Sequence, residues 1–328
     1  TITSASFPNV LIIESNAFAF CSSLVSLSFP RAYDIGENAF EGCSSITSAI
    51  FTNVSNISYR AFADCISLAS VRFSSAISIG SRAFYNCSSL GSASFNKVEN
   101  IGRQAFDGCL SLSTWVSYMM PNVKRIENSA FNRCASLTTA KLQFVEHLGD
   151  AAFKECTSLS DVDMIGVKNI GMQCFESCRS LTSAVFANAV TIGQSAFNRC
   201  ASLISISIPL VEQINKAAFS ECNSLASISL PNVNRVEYGA FYNCSSLSSI
   251  SLPIATYIGG YAFNNCSSLS FADMPLVYYI GEWAFQSCSL LNNVNFDNLK
   301  TIGHDAFSHC NSLSIIKIPN VSEIGNKD

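Results

Sequence analysis

The sequence predicts an α/β solenoid, a stack of short coils that each supply a β-strand and a helical or 3-10 turn. Three observations carry this. The octet AFYNCSSL stands at residues 83–90 and again at 240–247, with close variants such as AFEGCSSI from Ala39, AFNRCASL from Ala130 and from Ala196, and AFNNCSSL from Ala262. The Phe of this octet recurs 14 times from Phe18 to Phe307, in steps of 22 residues apart from one step of 25 between Phe106 and Phe131. Between octets the chain alternates apolar and polar residues, as in LASISL from Leu225, which is strand periodicity. Fixed periods of this length mark solenoids, whose units share one continuous core. A chain of 328 residues would otherwise suggest two domains, but the repeat predicts a single solenoid over residues 1–328, about 14 repeats of 22 that open and close mid-repeat. The chain then reads as a segment of something longer.

The unit runs in a fixed order. Its first strand is Leu-x-x-Ile-x-Leu, and successive units lay these strands side by side in a parallel sheet. Proline often closes the strand, at Pro8, Pro30, Pro121, Pro209, Pro231, Pro253, Pro275 and Pro319, because it lacks the amide donor that a ladder needs. A second short apolar pair follows, such as Val233 and Val236. Gly comes next in 10 of 15 cases, which suggests a turn preferring positive φ, although Glu14, Glu127 and Glu237 take the same place. The segment x-x-Ala-Phe-x-x-Cys is too short for a full helix and fits a helical or 3-10 turn with Ala, Phe and Cys inward.

The cysteine is a packing element. Fourteen of the 15 follow the motif Phe by three residues, and the other, Cys174, stands where Ala precedes Phe. Paired short spacings of a zinc site are missing, apart from one four-residue step from Cys174 to Cys178. The three histidines, His147, His304 and His309, do not recur with Cys, so no nucleophile–base pair forms by repetition. Neighbouring coils bring successive cysteines close enough for disulfides, but flanking Ala, Phe and Leu place each thiol in an apolar core, where free Cys behaves as a small hydrophobe. The thiols are therefore expected to be buried and reduced. The residue before the repeat Leu is Ser in 13 of 14 units, which suggests a hydroxyl bonded to turn backbone.

Composition narrows the function. Hydrophobic residues make up 48% and charged residues 13%, yet no apolar run is long enough for a membrane helix, so membrane insertion within this segment is not expected. A net charge of −4 with 19 Lys plus Arg leaves no footprint for nucleic acid. Neither a phosphate-cradling glycine loop nor a paired-carboxylate motif is present, so no enzymatic activity, metal or cofactor is expected.

The pattern Ser-Leu-x-x-Ile-x-Leu-Pro-x-Val-x-x-Ile-Gly-x-x-Ala-Phe-x-x-Cys-x-Ser-Leu resembles the BspA-like leucine-rich repeats, the class also named after a treponemal surface protein. The match covers all 328 residues. The resemblance implies a right-handed leucine-rich-repeat superhelix with the parallel sheet on its concave face. It also implies an extracellular or cell-surface protein that binds host proteins or other cells, and no catalytic residues. The family unit is commonly a residue longer than 22, a departure that bears on curvature and not on the fold.

Two functions fit: an adhesin-like ectodomain recognising host protein, cell surface or glycan, and a passive spacer presenting another domain. The outward strand positions are mostly small, such as Ser26, Ser28, Ser249 and Ser251, and lack the aromatic or Arg anchors of a hot spot. The ligand-binding candidates lie elsewhere: Tyr238, Tyr242, Tyr257, Tyr261, Tyr278, Tyr279 and Trp283, none in an inward slot of the repeat. Tyr257 and Tyr279 are 22 apart, as are Tyr261 and Trp283, so each pair is expected to stack on adjacent coils as an exposed strip off the concave floor. At the irregular step, the three extra residues between Leu112 and Pro121 are expected to bulge the sheet edge, with Met120 inward before Pro and one of Trp115 and Tyr118 filling an inward slot.

Overall fold

The computed structural model describes all residues except 1, 114, 117–119, 317, 327 and 328. The chain divides into two compact units, Thr1–Met164 and Ile165–Asp328, each carrying seven of the repeat phenylalanines. Each unit is a parallel β-solenoid with two short strands in most coils. In the first unit, Ser48–Phe51, Ser70–Phe73 and Ser92–Ser94 pair in parallel at a spacing of one repeat. A second ladder runs through the two-residue strands Asp34–Ile35, Asn56–Ile57, Ser78–Ile79 and Asn100–Ile101. The second unit repeats both, with Ser249–Ser251, Phe271–Asp273 and Asn293–Asn295 in one ladder and Arg235–Val236, Tyr257–Ile258 and Tyr279–Ile280 in the other. The second ladder is thus a true strand ladder, where sequence reading marked only an apolar pair. A polar residue before a recurring Ile, always at the same interval, is what a two-residue strand looks like when one face is buried.

Strands before proline stop as expected: Ser205–Ser207 ends ahead of Pro209 and Phe271–Asp273 ahead of Pro275. The asparagine just past the strand adds a link, for Asn232 Nδ2 donates to the Pro209 carbonyl one coil back at 2.9 Å, and Asn298 Nδ2 to that of Pro275 at 2.7 Å.

The α/β class and the helical or 3-10 turns are corrected: among the described residues there is no helix. The Ala-Phe-x-x-Cys segment is instead a succession of β-turns. Ala39, Glu41 and Cys43 donate back to the carbonyls of Gly36, Asn38 and Phe40, while the intervening Asn38, Phe40 and Gly42 donate forward to Tyr59, Ala61 and Ala63 of the next coil. What flips alternate peptides is positive φ two residues before and two after Phe, at Asn38 (φ 55°) and Gly42 (φ 68°) in this coil. A left-handed residue cannot continue a right-handed helix. The amide it releases satisfies a carbonyl on the neighbouring coil instead.

The glycine after the second strand also has a different cause. Apart from Gly325 (φ 71°), the glycines described at this position, such as Gly36, Gly102 and Gly281, do not have positive φ; they let coils touch. A Cβ on Gly102 would lie 2.7 Å from the Gly80 carbonyl carbon, and one on Gly259 would lie 2.7 Å from the Tyr238 amide nitrogen.

The core is a column of rings. In the first unit Phe40 stacks on Phe62 at 5.1 Å and Phe62 on Phe84 at 5.6 Å, while Phe73 meets Phe62 edge-on at 5.9 Å. In the second unit Phe197, Phe219, Phe241 and Phe263 continue the pattern at 5.3–5.4 Å. Each such pair adds about 0.5–1.5 kcal/mol to its burial. All 15 cysteines are free thiols; 13 are buried, and only Cys21 and Cys310 are partly open. The hydroxyl bonds between coils come from other serines than the one before Leu. Ser88 Oγ reaches the Ile66 carbonyl at 3.4 Å and Ser270 Oγ that of Ser248 at 3.1 Å, whereas Ser89 supplies its backbone N–H to Ile66.

At the irregular step, Trp115 and Val116 pair in register with Ala140 and Lys141, 25 residues on, and Met120 takes the buried slot that Leu142 takes 22 residues on. The expected bulge and the inward choice between Trp115 and Tyr118 lie outside the described residues.

Candidate binding surface

The aromatic candidates belong to the second unit, and the coil geometry sorts them into columns. The strands Tyr257–Ile258 and Tyr279–Ile280 place Tyr257 opposite Tyr279. Their isoleucines are fully buried, so the tyrosines face outward, and the rings stack at 5.0 Å and 3°. Arg235, opposite Tyr257 in the preceding coil, sets its guanidinium carbon 4.1 Å from the Tyr257 ring centre. Burial pushes the Tyr257 hydroxyl pKa up, and the neighbouring Tyr279 and Glu237 push it the same way.

A second column lies beside the first. Lys216 Nζ sits 5.5 Å from the Tyr238 ring centre. Tyr238 meets Tyr261 at 5.2 Å and 50°, Tyr261 meets Trp283 at 4.9 Å and 35°, and Trp283 meets His304 edge-on at 5.6 Å. His304 Nε2 is 3.0 Å from the Asp305 carboxylate. The contacts at a full period, Tyr257 with Tyr279 and Tyr261 with Trp283, were legible in the sequence. Tyr238 with Tyr261 was not, because it is one residue off period. The signal was the double glycine Gly259-Gly260: the next coil has Gly260 in the slot of Tyr238, so no ring stands one full period on, and a Cβ there would meet Glu282 and the Tyr238 ring. Lys216 and His304, the polar ends of the column, were also missed.

Tyr238, Tyr242 and Tyr278 are exposed, at 47%, 39% and 46%. Tyr257, Tyr261, Tyr279 and Trp283 are half-buried, since rings on adjacent coils cover their faces. Tyr242 and Tyr278 make no ring contact among the described residues. Tyr261 (φ 55°) and Trp283 (φ 51°) occupy the left-handed position two before Phe, which bulky side chains seldom take.

Two open hollows flank Tyr238. One, of about 430 Å³, is lined by Met172, Gly193, Gln194, Gln213, Asn215, Lys216, Glu237 and Tyr238. The other, of about 380 Å³, lies among Tyr238, Tyr242, Tyr261, Lys216 and Ser220. In the first, Gln213 Nε2 donates to Asn215 Oδ1 at 2.9 Å and to Glu237 Oε1 at 3.2 Å. Asn215 Nδ2 donates to the Ile192 carbonyl at 2.7 Å, and Arg235 Nε to Glu237 Oε1 at 3.1 Å.

The BspA type leucine rich repeat region matches the chain over residues 1–113, 115–226, 190–296 and 212–327. The comparison with curated proteins finds no match. Among solved structures, a leucine-rich repeat protein from Bacteroides ovatus is similar at 26% identity and a TM-score of 0.69, over 83% of this chain and 79% of that one. A leucine rich cell surface protein from Faecalibacterium prausnitzii is similar at 27% identity and a TM-score of 0.52, over 85% and 87%. With the repeat matched along nearly its whole length, the chain belongs to the BspA-type leucine-rich repeat proteins.

Proposed function

We propose that the chain is a non-enzymatic binding module, an adhesin-like segment of an extracellular or cell-surface protein that recognises host protein, a cell surface or glycan. The observation that carries this is the pair of contiguous ring columns on the second unit, Tyr257 on Tyr279 and Tyr238 through Tyr261 to Trp283. Tyr and Trp joined to Lys and Arg are the residue types that dominate binding hot spots. The similarity to a cell-surface protein favours a location outside the cell. Net charge of −4 argues against nucleic acid, and among the described residues no helix is long and apolar enough to cross a membrane.

One observation favours the spacer instead: the outward strand positions Ser26, Ser28, Ser205, Ser207, Ser249 and Ser251 are exposed and small, a surface without anchors. The test is an array of extracellular-matrix proteins and oligosaccharides probed with the whole chain. Saturable binding to a defined subset is the expected result, and a silent array leaves the spacer.

A further inference from the structure

We propose that the hollow lined by Gln213, Asn215, Glu237 and Tyr238 is a sugar-binding site; this rests on reading the late coils as a binding surface and gives that surface its ligand class. The first argument lies in the repeat. The slot after the second strand holds Gly in 10 of 15 coils, in most of which a Cβ would press on the backbone of the neighbouring coil. Of the five exceptions, Glu14, Ser58, Glu127, Asn215 and Glu237, only Asn215 and Glu237 fall in adjacent coils. Two neighbouring departures from a packing rule mark a place where something other than packing decides the residue. Both side chains line this hollow.

The second argument is the chemistry they bring. Among the described residues, the bonds from Arg235 and Gln213 engage Glu237 Oε1 and leave Oε2 open, and the Gln213 amide donates while its Oε1 remains open. Lys216 Nζ has no carboxylate partner among the described residues. The hollow therefore offers two fixed acceptors and one cationic donor beside the exposed Tyr238 ring. A pyranose presents the complement: paired hydroxyls around its rim and a C–H face that packs on an aromatic ring. Amides already held by other bonds bind without further ordering cost. The volume of about 430 Å³ falls in the range of small-molecule sites, about 300–1,000 Å³. A phosphate-bearing ligand would meet the Glu237 carboxylate. An added peptide strand finds no free edge, since the Gln213–Ile214 and Arg235–Val236 strands are paired to each other. With a second hollow that shares Tyr238 and Lys216, an oligosaccharide of more than one ring fits the site.

The experiment uses the whole chain on an array of immobilised neutral, acetamido and acidic oligosaccharides beside immobilised matrix proteins. The variant is Asn215→Gly with Glu237→Gly, which restores the residue that most coils carry and so keeps the fold. Expected is oligosaccharide binding by the natural chain that falls at least about tenfold in the variant at unchanged melting temperature, as loss of hydrogen bonds to a charged group does. Should the variant melt early, Gln213→Ala with Lys216→Ala is read in its place against the same threshold. Binding to matrix proteins without oligosaccharides overturns the sugar assignment and leaves the binding module standing. Silence on both overturns both. Equal oligosaccharide binding by folded variant and natural chain overturns the site.

Discussion

The Cys65 thiol donates to the Phe40 carbonyl oxygen at 3.1 Å, across one coil boundary, and the same oxygen accepts the Cys43 N–H at 3.2 Å. The contact recurs in both units, from Cys109 to Phe84 at 3.2 Å and from Cys222 to Phe197 at 3.2 Å. The cysteine therefore does two things at once. It fills a small apolar slot and caps a carbonyl that the turn leaves half-used. Alanine would do only the first, and valine neither.

That geometry makes the thiols inert. Alkylation with iodoacetamide at pH 8 should label Cys21 and Cys310 first and leave the buried 13 unlabelled until denaturant is added. Rapid labelling of the whole set in the native protein would contradict it, as would disulfides between coils in a mass map.

The same burial gives stability an alkaline limit. It pushes the Cys43 and Cys244 thiols up to about 12 and Cys310 to about 11, from an ordinary 9.0. The folded state then holds protons that the unfolded chain releases, so the unfolded state binds fewer protons and stability falls as pH rises. The contribution is complete below pH 9 and is lost on the way to pH 12. Urea midpoints should be flat as pH approaches 9 from below and decline steadily above it. A midpoint that holds or rises through that window contradicts the assignment.

Substitutions should separate the two close-packed positions. Cys222→Ala should cost about 1–3 kcal/mol, from the lost sulfur volume and an unmet carbonyl. Gly102→Ala should cost more than an average surface change, because its Cβ would sit 2.7 Å from the Gly80 backbone, where nothing flexible can yield. Glu237→Gly should be nearly neutral. Urea unfolding of the three variants checks the order, and a harmless Gly102→Ala would remove close approach as the reason for the glycine.

Much of this was legible because a solenoid writes each slot once per period. Leu225, Phe241 and Cys244 could be called inward from the spacing alone, and all three are fully buried. The turn was misread because Ala-Phe-x-x-Cys has helix-like spacing, and nothing in Asn38 or Gly42 alone announces that φ alternates in sign. Glycine after the second strand was misread for a related reason: φ is a property of one residue, whereas Gly102 answers to a neighbour 22 positions away. At the candidate surface, on-period contacts were visible and the off-period step from Tyr238 to Tyr261 was not. The hollow beside Tyr238 required knowing that Gln213, Asn215, Lys216 and Glu237 share one edge of two adjacent coils.

The central claim, that the ring columns of the second unit bind a partner, is tested most directly by titrating the strongest array ligand into the natural chain and into Tyr261→Ala with Trp283→Ala by calorimetry. Two truncated aromatic anchors should weaken binding by at least about 30-fold at a hot spot, with the melting transition still cooperative. Affinities within twofold of each other in two folded proteins would contradict the account.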